Sequence, residues 1–167
     1  MPAFVRLAMH YEFALVEDIE NAADSLLVEL LAPGEWACAA TGLERAALPG
    51  FILLSSEAAS GPAVGFVHVI AGDNFAHLEQ PSVLPSHGGR GHGRALVEAA
   101  KLEAKRRGEH RMTLRTFADV PWNAPFYATC GFNESEPATE FHRRLVQEEI
   151  GLGLPPHGRR VEMTARL

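Results

Sequence analysis

His77 and Glu79 could act together in proton transfer, because they stand two positions apart in the strand-like segment 76–84. Side chains two apart in a strand point to the same face, so the two groups are expected to lie side by side. A carboxylate on a largely apolar strand is costly unless it is paired or used. Glu79 is therefore the first candidate for a general base and His77 the second. The alternatives are a salt bridge for Glu79 and a structural role for His77.

A glycine-rich loop, 86–93, follows this segment and runs directly into a helical pattern; its glycines are Gly88, Gly89, Gly91 and Gly93. A strand, a glycine loop and a helix in this order present free backbone N–H groups and the positive end of the helix. That arrangement suits a phosphate group. A flexible turn in front of a helix is the alternative.

The loop does not match either of two common nucleotide-binding motifs. A P-loop needs a lysine and then Ser or Thr after its last glycine, but Arg94 and Ala95 follow Gly93. The dinucleotide fingerprint needs its third glycine where Arg94 or Leu96 stands. Nucleotide hydrolysis and a Rossmann fold are therefore disfavoured.

The order Val83-Leu84-Pro85, then the loop ending in Gly91-His92-Gly93, carries a family resemblance. It resembles the acyl-CoA pyrophosphate loop of the GNAT superfamily of N-acetyltransferases, where a strand ending in Val-x-Pro precedes R/Q-x-x-G-x-G and a helix. Gly88 stands where the family has Arg or Gln, and His92 replaces an aliphatic residue. The resemblance implies that the backbone of Val83 and Leu84 binds the pantetheine arm. It also implies pyrophosphate contacts from Gly88, Gly89, Arg90, Gly91, His92, Gly93 and Arg94, with charge from Arg90 or Arg94.

A second segment, 119–132, carries an independent match, because Asn123 is followed by a helical pattern that contains Tyr127 and ends in Gly-Phe. This is similar to the second cofactor segment of the same family. The resemblance implies that Tyr127 is the general acid and that Asn123 and Phe126 contact the cofactor. Core packing is the alternative for Tyr127.

The resemblance implies an activity: transfer of an acetyl group from acetyl-CoA, as cosubstrate, to a primary amine of a small molecule by direct attack in a ternary complex. Tyr127 would protonate the departing thiolate, and Glu79 or His77 would take the proton of the amine directly or through a water. Acidic residues around the first and last helices flank the acceptor groove in this family, so they form solvated faces or attract cationic amines. Two alternatives stay open, a protein or peptide N-acetyltransferase and a non-catalytic CoA-binding module.

To position these residues, the chain must supply a sheet and several helices. Hydrophobic periodicity predicts strands over 3–9, 51–55, 64–70, 76–84, 112–117 and 160–166. It predicts one or two helices over 12–31, stopped by Pro33-Gly34, and further helices after the glycine loop, over 124–130 and over 138–150. Pro81 predicts a bulge or an interrupted ladder within 76–84, because it has no N–H.

These elements predict the α/β (α+β) class: a GNAT-like mixed, mostly antiparallel twisted sheet flanked by helices. Three consecutive strands form an antiparallel meander, and the strand 112–117 is expected to lie parallel to 76–84 because a crossover helix joins them. The family resemblance adds that the sheet is splayed between its fourth and fifth strands.

Length and composition exclude several classes of protein. The 167 residues correspond to one domain, 1–167, and the 47% hydrophobic and 22% charged residues are typical of a globular chain. A net charge of -6 opposes nucleic-acid binding, and no apolar stretch approaches the ~18 residues of a membrane span. The isolated cysteines Cys38 and Cys130 fit neither disulfides nor a catalytic metal. We expect a cytoplasmic protein without nucleic-acid or membrane partners, and a homodimer is compatible with the sequence.

Overall fold

The computed structural model describes residues 2–32 and 34–167 and contains one seven-stranded mixed sheet. The strands are β1 (Phe4–Leu7), β2 (Gly50–Ser56), β3 (Gly65–Ala71), β4 (Ala76–Val83), β5 (Arg111–Phe117), β6 (Asn133–Ser135) and β7 (Arg160–Arg166). They lie in the order β1-β2-β3-β4-β5-β7-β6. The pair β4–β5 is parallel, and the other pairs are antiparallel. The predicted fold class and the parallel pairing are confirmed.

Five helices flank the sheet: α1 (Phe13–Leu31), α2 (Gly42–Ala46), α3 (His92–Arg106), α4 (Ala124–Thr129) and α5 (Glu140–Gly151). The alternation of β2 places Phe51 and Leu53 in the core that α3 and α4 cover, while Ile52 and Leu54 pack beneath α1. Both faces of β2 are buried, which explains its uninterrupted apolar sequence. Pro33, where the sequence predicts the end of the first helix, lies outside the described residues.

Two short elements are absent from the predictions. Strand β6 has only three residues, and among the described residues it pairs with β7 alone. Its short polar sequence gives no periodic signal. Helix α2 has a capping box, in which Thr41 Oγ1 accepts the Glu44 N–H at 3.2 Å and Glu44 Oε2 accepts the Thr41 N–H at 2.6 Å. The Thr-x-x-Glu spacing was therefore a usable signal for this helix.

The irregularity predicted in the fourth strand is present, but it lies at Glu79 and not at Pro81. Leu78 is opposite Val69 and Gln80 is opposite His68, so Glu79 is the extra residue of a β-bulge. On its other side β4 pairs with β5 only at 76 and 77. The strands then separate, which confirms the predicted splay.

The two cysteines are free thiols, Cys38 exposed and Cys130 buried. In the described ranges, no group of three or more His, Cys, Asp or Glu residues is placed to hold a metal ion. Across the same ranges, every helix is too short or too polar to cross a membrane.

Candidate active site

The separation of β4 from β5 leaves a cavity of about 730 Å³. Its walls include residues 78–81 of β4 and 114–117 of β5, and the segment 35–41, α1 and α5 add further side chains. Asn123 and Tyr127 reach the same cavity from the segment 119–132. The fold thus brings the candidate base and the candidate acid to the walls of one cavity.

Glu79 and His77 lie side by side, as the alternation of the strand predicts. His77 Nε2 is 3.8 Å from Glu79 Oε2. The His77 side chain is 3% exposed, whereas 41% of the Glu79 side chain is exposed to the cavity. Protein still surrounds Glu79 on most sides, so the water that reaches it solvates its charge less well than bulk water does.

The environments of the two groups separate their pKa values. Burial raises the pKa of Glu79, and Glu148 and Glu149 raise it further, while Arg45 opposes the shift. Burial lowers the pKa of His77 to about 3, helped by positive charge on neighbouring groups. A base works best when its pKa is near the operating pH, so Glu79 suits proton abstraction at neutral pH better than His77 does.

The cavity is rich in carboxylates: Glu20, Asp24, Glu35, Glu44, Glu79, Glu148 and Glu149 line it, against the guanidinium groups of Arg45, Arg115 and Arg160. Glu20 pairs with Arg45, and Glu149 pairs with Arg115 at 2.9 Å and with Arg160 at 2.8 Å. Burial opposes ionisation of Glu149, but hydrogen bonds from the two arginines hold its pKa below the usual value. The remaining carboxylates give the cavity a negative potential that favours cationic molecules.

Sequence reasoning did not single out the three cavity arginines. Arg45 is 4% exposed and its Nη1 lies 3.2 Å from His68 Nδ1. Its ion-pair partner, Glu20, is 25 residues away in sequence, so no local motif indicates the pair. The acidic residues of α1 and α5 were noticed, and the structure places four of them, Glu20, Asp24, Glu148 and Glu149, on the cavity wall.

Tyr127 combines a packed ring with a place on the cavity wall. Its ring makes edge contacts with Phe126 at 5.2 Å and Phe132 at 5.9 Å between centroids, and the residue is 6% exposed. Burial raises the pKa of the phenol, so it stays protonated at neutral pH. Asn123 accepts the Tyr127 N–H with its carbonyl at 3.0 Å, and its side chain does not cap α4.

The glycine loop offers a row of backbone donors at the start of α3. Gly89 and Gly91 have φ values of +72° and +87°, and Gly91 is the residue that caps the helix. Within the part of the chain that the structure describes, the N–H groups of 89–94 make no hydrogen bond. Together with the positive helix end they form an anion site of the kind that holds a phosphate.

The two loop arginines have partners in the protein. Arg90 Nη1 donates to Glu57 Oε1 at 2.7 Å, and both side chains are about half exposed. Arg94 donates to the carbonyl and the hydroxyl of Thr129 on α4, at 3.1 and 2.7 Å. Arg94 therefore ties α3 to α4, whereas Arg90 pairs with a carboxylate just after β2.

The remaining loop positions connect the donor row to the cavity. His92 is 3% exposed, and burial lowers its pKa, so its ring is neutral at neutral pH. A buried neutral ring thus stands where the family pattern has an aliphatic residue. A Cβ built at Gly93 would lie 3.6 Å from the ring of Phe126, which is ordinary contact. Val83 pairs with Gly65 of β3, and beyond position 77 no pairing of β4 with β5 occurs in the described residues. The exposed edge of β4 thus leads from the glycine loop into the cavity.

Comparison with solved structures shows the same fold in acetyltransferases at low identity. The PaiA N-acetyltransferase of Thermoplasma acidophilum, in complex with coenzyme A, is 15% identical over 100% of both chains, with a TM-score of 0.69. The ribosomal-protein-S18-alanine N-acetyltransferase of Escherichia coli is 17% identical over 99% of this chain and 94% of that chain, with a TM-score of 0.64. N-acetylglutamate synthase of Neisseria gonorrhoeae, complexed with coenzyme A and N-acetyl-glutamate, is 13% identical over 100% of this chain and 35% of that chain, with a TM-score of 0.71.

The sequence itself matches the model of the Acetyltransferase (GNAT) family over residues 16–132. The matched range includes the glycine loop, the bulged strand and the second cofactor segment. It covers well over half of the sequence, and the chain therefore belongs to the GNAT family of acetyltransferases.

Proposed function

We propose that the protein is an N-acetyltransferase that moves the acetyl group of acetyl-CoA to a primary amine of a small cationic molecule. The observation that carries this proposal is the single cavity at the β4–β5 gap. The unpaired edge of β4 leads into this cavity from the glycine loop. The cavity is lined by the buried Tyr127, by Glu79 with its raised pKa, and by more carboxylates than arginines. A cavity of this size is ordinary for a small-molecule site.

On the donor side, the N–H groups of 89–94 bind the pyrophosphate of acetyl-CoA, and Arg90 adds positive charge. The free edge of β4 near Val83 and Leu84 hydrogen-bonds the pantetheine arm. Asn123 and Phe126 contact the cofactor from the α4 side. These residues deliver the thioester to the cavity and leave its carbonyl carbon open to attack.

On the acceptor side, the amine must lose a proton first, because ordinary amines titrate near pH ~10. Glu79 takes that proton. The nitrogen then forms a bond to the thioester carbon, the carbon–sulfur bond breaks, and Tyr127 gives its phenolic proton to the sulfur. The second proton lost by the acetylated nitrogen restores the phenol, so the products are the amide, free CoA thiol and the proton held by Glu79.

The first test is binding. Acetyl-CoA at millimolar concentration is expected to raise the melting temperature by mass action, whereas ATP and NAD at the same concentration are not. Gly91→Val is expected to abolish this shift, because residue 91 has a φ of +87° that a β-branched residue disfavours and its side chain would stand beside the N–H donors. Differential scanning fluorimetry measures both effects.

Gly108→Val is the matched control for this experiment. Gly108 has a φ of +93° and open space around a built Cβ, but it lies at the opposite end of α3. Its substitution costs similar backbone strain and should preserve the acetyl-CoA shift. If both variants lost the acetyl-CoA melting shift, backbone strain alone would explain the loss. If Gly91→Val kept the full shift, acetyl-CoA would bind somewhere other than this loop.

A second binding prediction concerns Glu57. The hydrogen bond from Arg90 lowers the pKa of Glu57, so a carboxylate stands beside the anion site at neutral pH. Glu57→Gln removes its repulsion of the pyrophosphate and releases Arg90, so we expect a few-fold lower Kd for CoA by isothermal titration calorimetry, with a smaller gain at high salt. Glu98→Gln, which removes the Lys101 partner on α3, should leave the Kd unchanged. Weaker binding in Glu57→Gln would contradict the assignment of this loop.

The acceptor is tested by thiol release from acetyl-CoA with a panel of amines. Small molecules with one or more positive charges are expected to react faster than neutral or anionic amines of similar size. Lysine-containing and N-terminal peptides form a second arm of the panel. A clear preference for peptides would replace the small-molecule acceptor, and no turnover with any amine despite acetyl-CoA binding would favour a non-catalytic CoA-binding module.

A further inference from the structure

A buried chain of hydrogen bonds ends at the pair His77 and Glu79. His77 Nδ1 lies 2.8 Å from Thr113 Oγ1, and the same oxygen lies 2.9 Å from His142 Nε2. His142 Nδ1 lies 2.6 Å from Thr139 Oγ1 at the start of α5. His77, Thr113 and His142 are 2 to 3% exposed. This series of hydrogen bonds therefore connects the N-terminus of α5 with the cavity through the interior of the protein.

The donors in this chain must all run in the same direction. Burial lowers the pKa of both His77 and His142, so each ring is neutral and carries one proton. Among the described residues, the hydroxyl of Thr113 contacts only these two ring nitrogens. Its one buried proton therefore has a partner only if the hydroxyl donates to one histidine and accepts from the other. The protons point either towards Glu79 or away from it.

Two observations favour the direction towards Glu79. Thr139 Oγ1 already accepts the backbone N–H of His142 at 3.2 Å, which leaves its own proton to donate to His142 Nδ1. His142 Nε2–H then donates to Thr113, and Thr113 donates to His77 Nδ1. His77 is left with its proton on Nε2, facing the Glu79 carboxylate. The opposite direction would set a ring lone pair against that carboxylate.

We propose that Thr113 and His142 are positioning residues for the acetyl transfer. They hold His77 as the Nε2–H tautomer, and this aims a proton donor at Glu79. At 3.8 Å the contact is electrostatic, and it favours the ionised carboxylate against the cost of burial. The catalytic part of the inference rests on Glu79 acting as the base, whereas the tautomer of His77 does not.

Other charges also act on this pair, and they come from every neighbouring element. They are Arg45 of α2 with its partner Glu20 of α1, Arg115 of β5, and Glu148 and Glu149 of α5. His68 of β3 also faces His77, but burial lowers the pKa of His68 to about 4, so its ring is neutral at neutral pH. Arg111 of β5 acts on His142. None of them donates a hydrogen bond to Thr113. A substitution that removes the Thr113 hydroxyl therefore removes the hydrogen bond that sets the tautomer of His77 and leaves these charges in place.

The direct experiment is nuclear magnetic resonance of protein with ¹⁵N-labelled histidine. Two-bond correlations distinguish the two tautomers, and His77→Gln and His142→Gln identify the signals. Both rings are expected to be Nε2–H tautomers near neutral pH. A His77 ring protonated on Nδ1 overturns the proposal, whether or not the protein acetylates any amine.

Thr113→Val then tests the consequence for Glu79. Valine has the shape of threonine without the hydroxyl, so His77 Nδ1 loses its donor and the Nε2–H tautomer is no longer imposed. We expect the ¹³C titration of the Glu79 carboxyl to move up by about one pH unit. The acidic limb of kcat/KM for the amine should move with it, an approximately tenfold loss below that limb, while the acetyl-CoA melting shift stays the same.

Two companion variants separate positioning from packing. Thr113→Ser restores a hydroxyl and should return both titrations to their wild-type positions. Thr164 is directly opposite Thr113 on β7, and within the described residues its hydroxyl bonds only Ser135. Thr164→Val therefore removes a hydroxyl from the same face and should change neither titration. A Glu79 titration that is identical in wild type and Thr113→Val overturns the proposal. A shifted carboxyl titration without any acetyl transfer would leave it standing and would contradict the proposed function instead.

Discussion

Tyr127→Phe is expected to lower kcat by about 10²–10⁴-fold, the usual contribution of general acid–base catalysis. The substitution removes one hydroxyl and almost no volume, so the ring contacts with Phe126 and Phe132 should persist. The acetyl-CoA melting shift should therefore stay close to that of the wild type. Single-turnover measurements of thiol release separate this loss from any effect on product release.

The raised pKa of Tyr127 adds a pH dependence to the same prediction. A phenol that titrates above its ordinary value of ~10 stays protonated through the neutral and mildly alkaline range. The wild-type rate should therefore show no loss from Tyr127 ionisation below about pH 10. An alkaline decline well below that pH, absent from Tyr127→Phe, would show that the environment lowers this pKa.

Tyr11→Phe is the matched control, since Tyr11 is the other tyrosine of the chain and is 80% exposed. It should leave kcat unchanged. A loss of less than about threefold in Tyr127→Phe would assign that residue to core packing, and departure of the thiolate would then need no proton from the protein.

Strands and the glycine loop could be predicted from the sequence because their signals are local. The apolar run of 51–55, the Gly91–Gly93 spacing and the order of elements each depend on neighbouring residues. The pairing of His77 with Glu79 was predictable for the same reason, since two positions along a strand return to the same face. The splay of the sheet came from the family resemblance, because no single segment encodes it.

The environment of Glu79 could not be predicted, because it is built from distant segments. Arg45 and Glu149 reach the cavity from two separate elements, and their effects on Glu79 depend on distances that no motif records. The position of the bulge is another example. Pro81 indicated an irregular strand, but the register with β3 decides which residue is extra.

The contacts of Thr113 and His142 show the same limit. A buried threonine on β5 and a histidine near the start of α5 look like ordinary core and surface residues in the sequence. They become part of the site only because α5 folds back so that His142 lies 2.9 Å from the hydroxyl of Thr113. Polar networks of this kind join residues far apart in the chain, so their members are found only once the chain is folded.

Glu79→Gln is expected to reduce acetyl transfer at neutral pH by about 10²-fold or more, because the amide cannot take the proton of the amine. The amide keeps the size of the carboxylate and its place in the bulge. Above about pH 9 a growing fraction of the amine loses its proton without help, so the rate of the variant should recover towards that of the wild type. The measurement is a pH profile of kcat/KM for the amine, in parallel for both proteins.

A salt bridge was the alternative for Glu79, and the structure describes no Arg or Lys within ion-pair distance of its carboxylate among residues 2–32 and 34–167. Its contact is His77, which is neutral at ordinary pH because burial lowers its pKa to about 3. Glu79→Gln should therefore not leave a cation unpaired. A large fall in stability would restore the salt-bridge interpretation.

The pH dependence of stability gives a separate test with a defined sign. Burial raises the pKa of Glu79 in the fold, so between its ordinary value and this raised value the folded protein binds more protons than the unfolded chain. The contribution of Glu79 to stability is thus lost as pH rises through that window. Relative to wild type, the melting temperature of Glu79→Gln should increase across the window and stay equal or higher at neutral pH.

Glu148→Gln is the comparison that tells whether Glu79 acts as a base or only as a negative charge that attracts the amine. Glu148 lines the same cavity and, like Glu79, adds negative charge to it. Its substitution should raise KM for a cationic amine and leave kcat at neutral pH in place, and it should move the acidic limb of the pH profile to lower pH because Glu148 raises the pKa of Glu79. If Glu79→Gln behaved in the same way, with kcat intact at neutral pH, Glu79 would only attract the acceptor. The base would then be a water in the cavity, because His77, with a pKa of about 3, is too weak for that task at neutral pH.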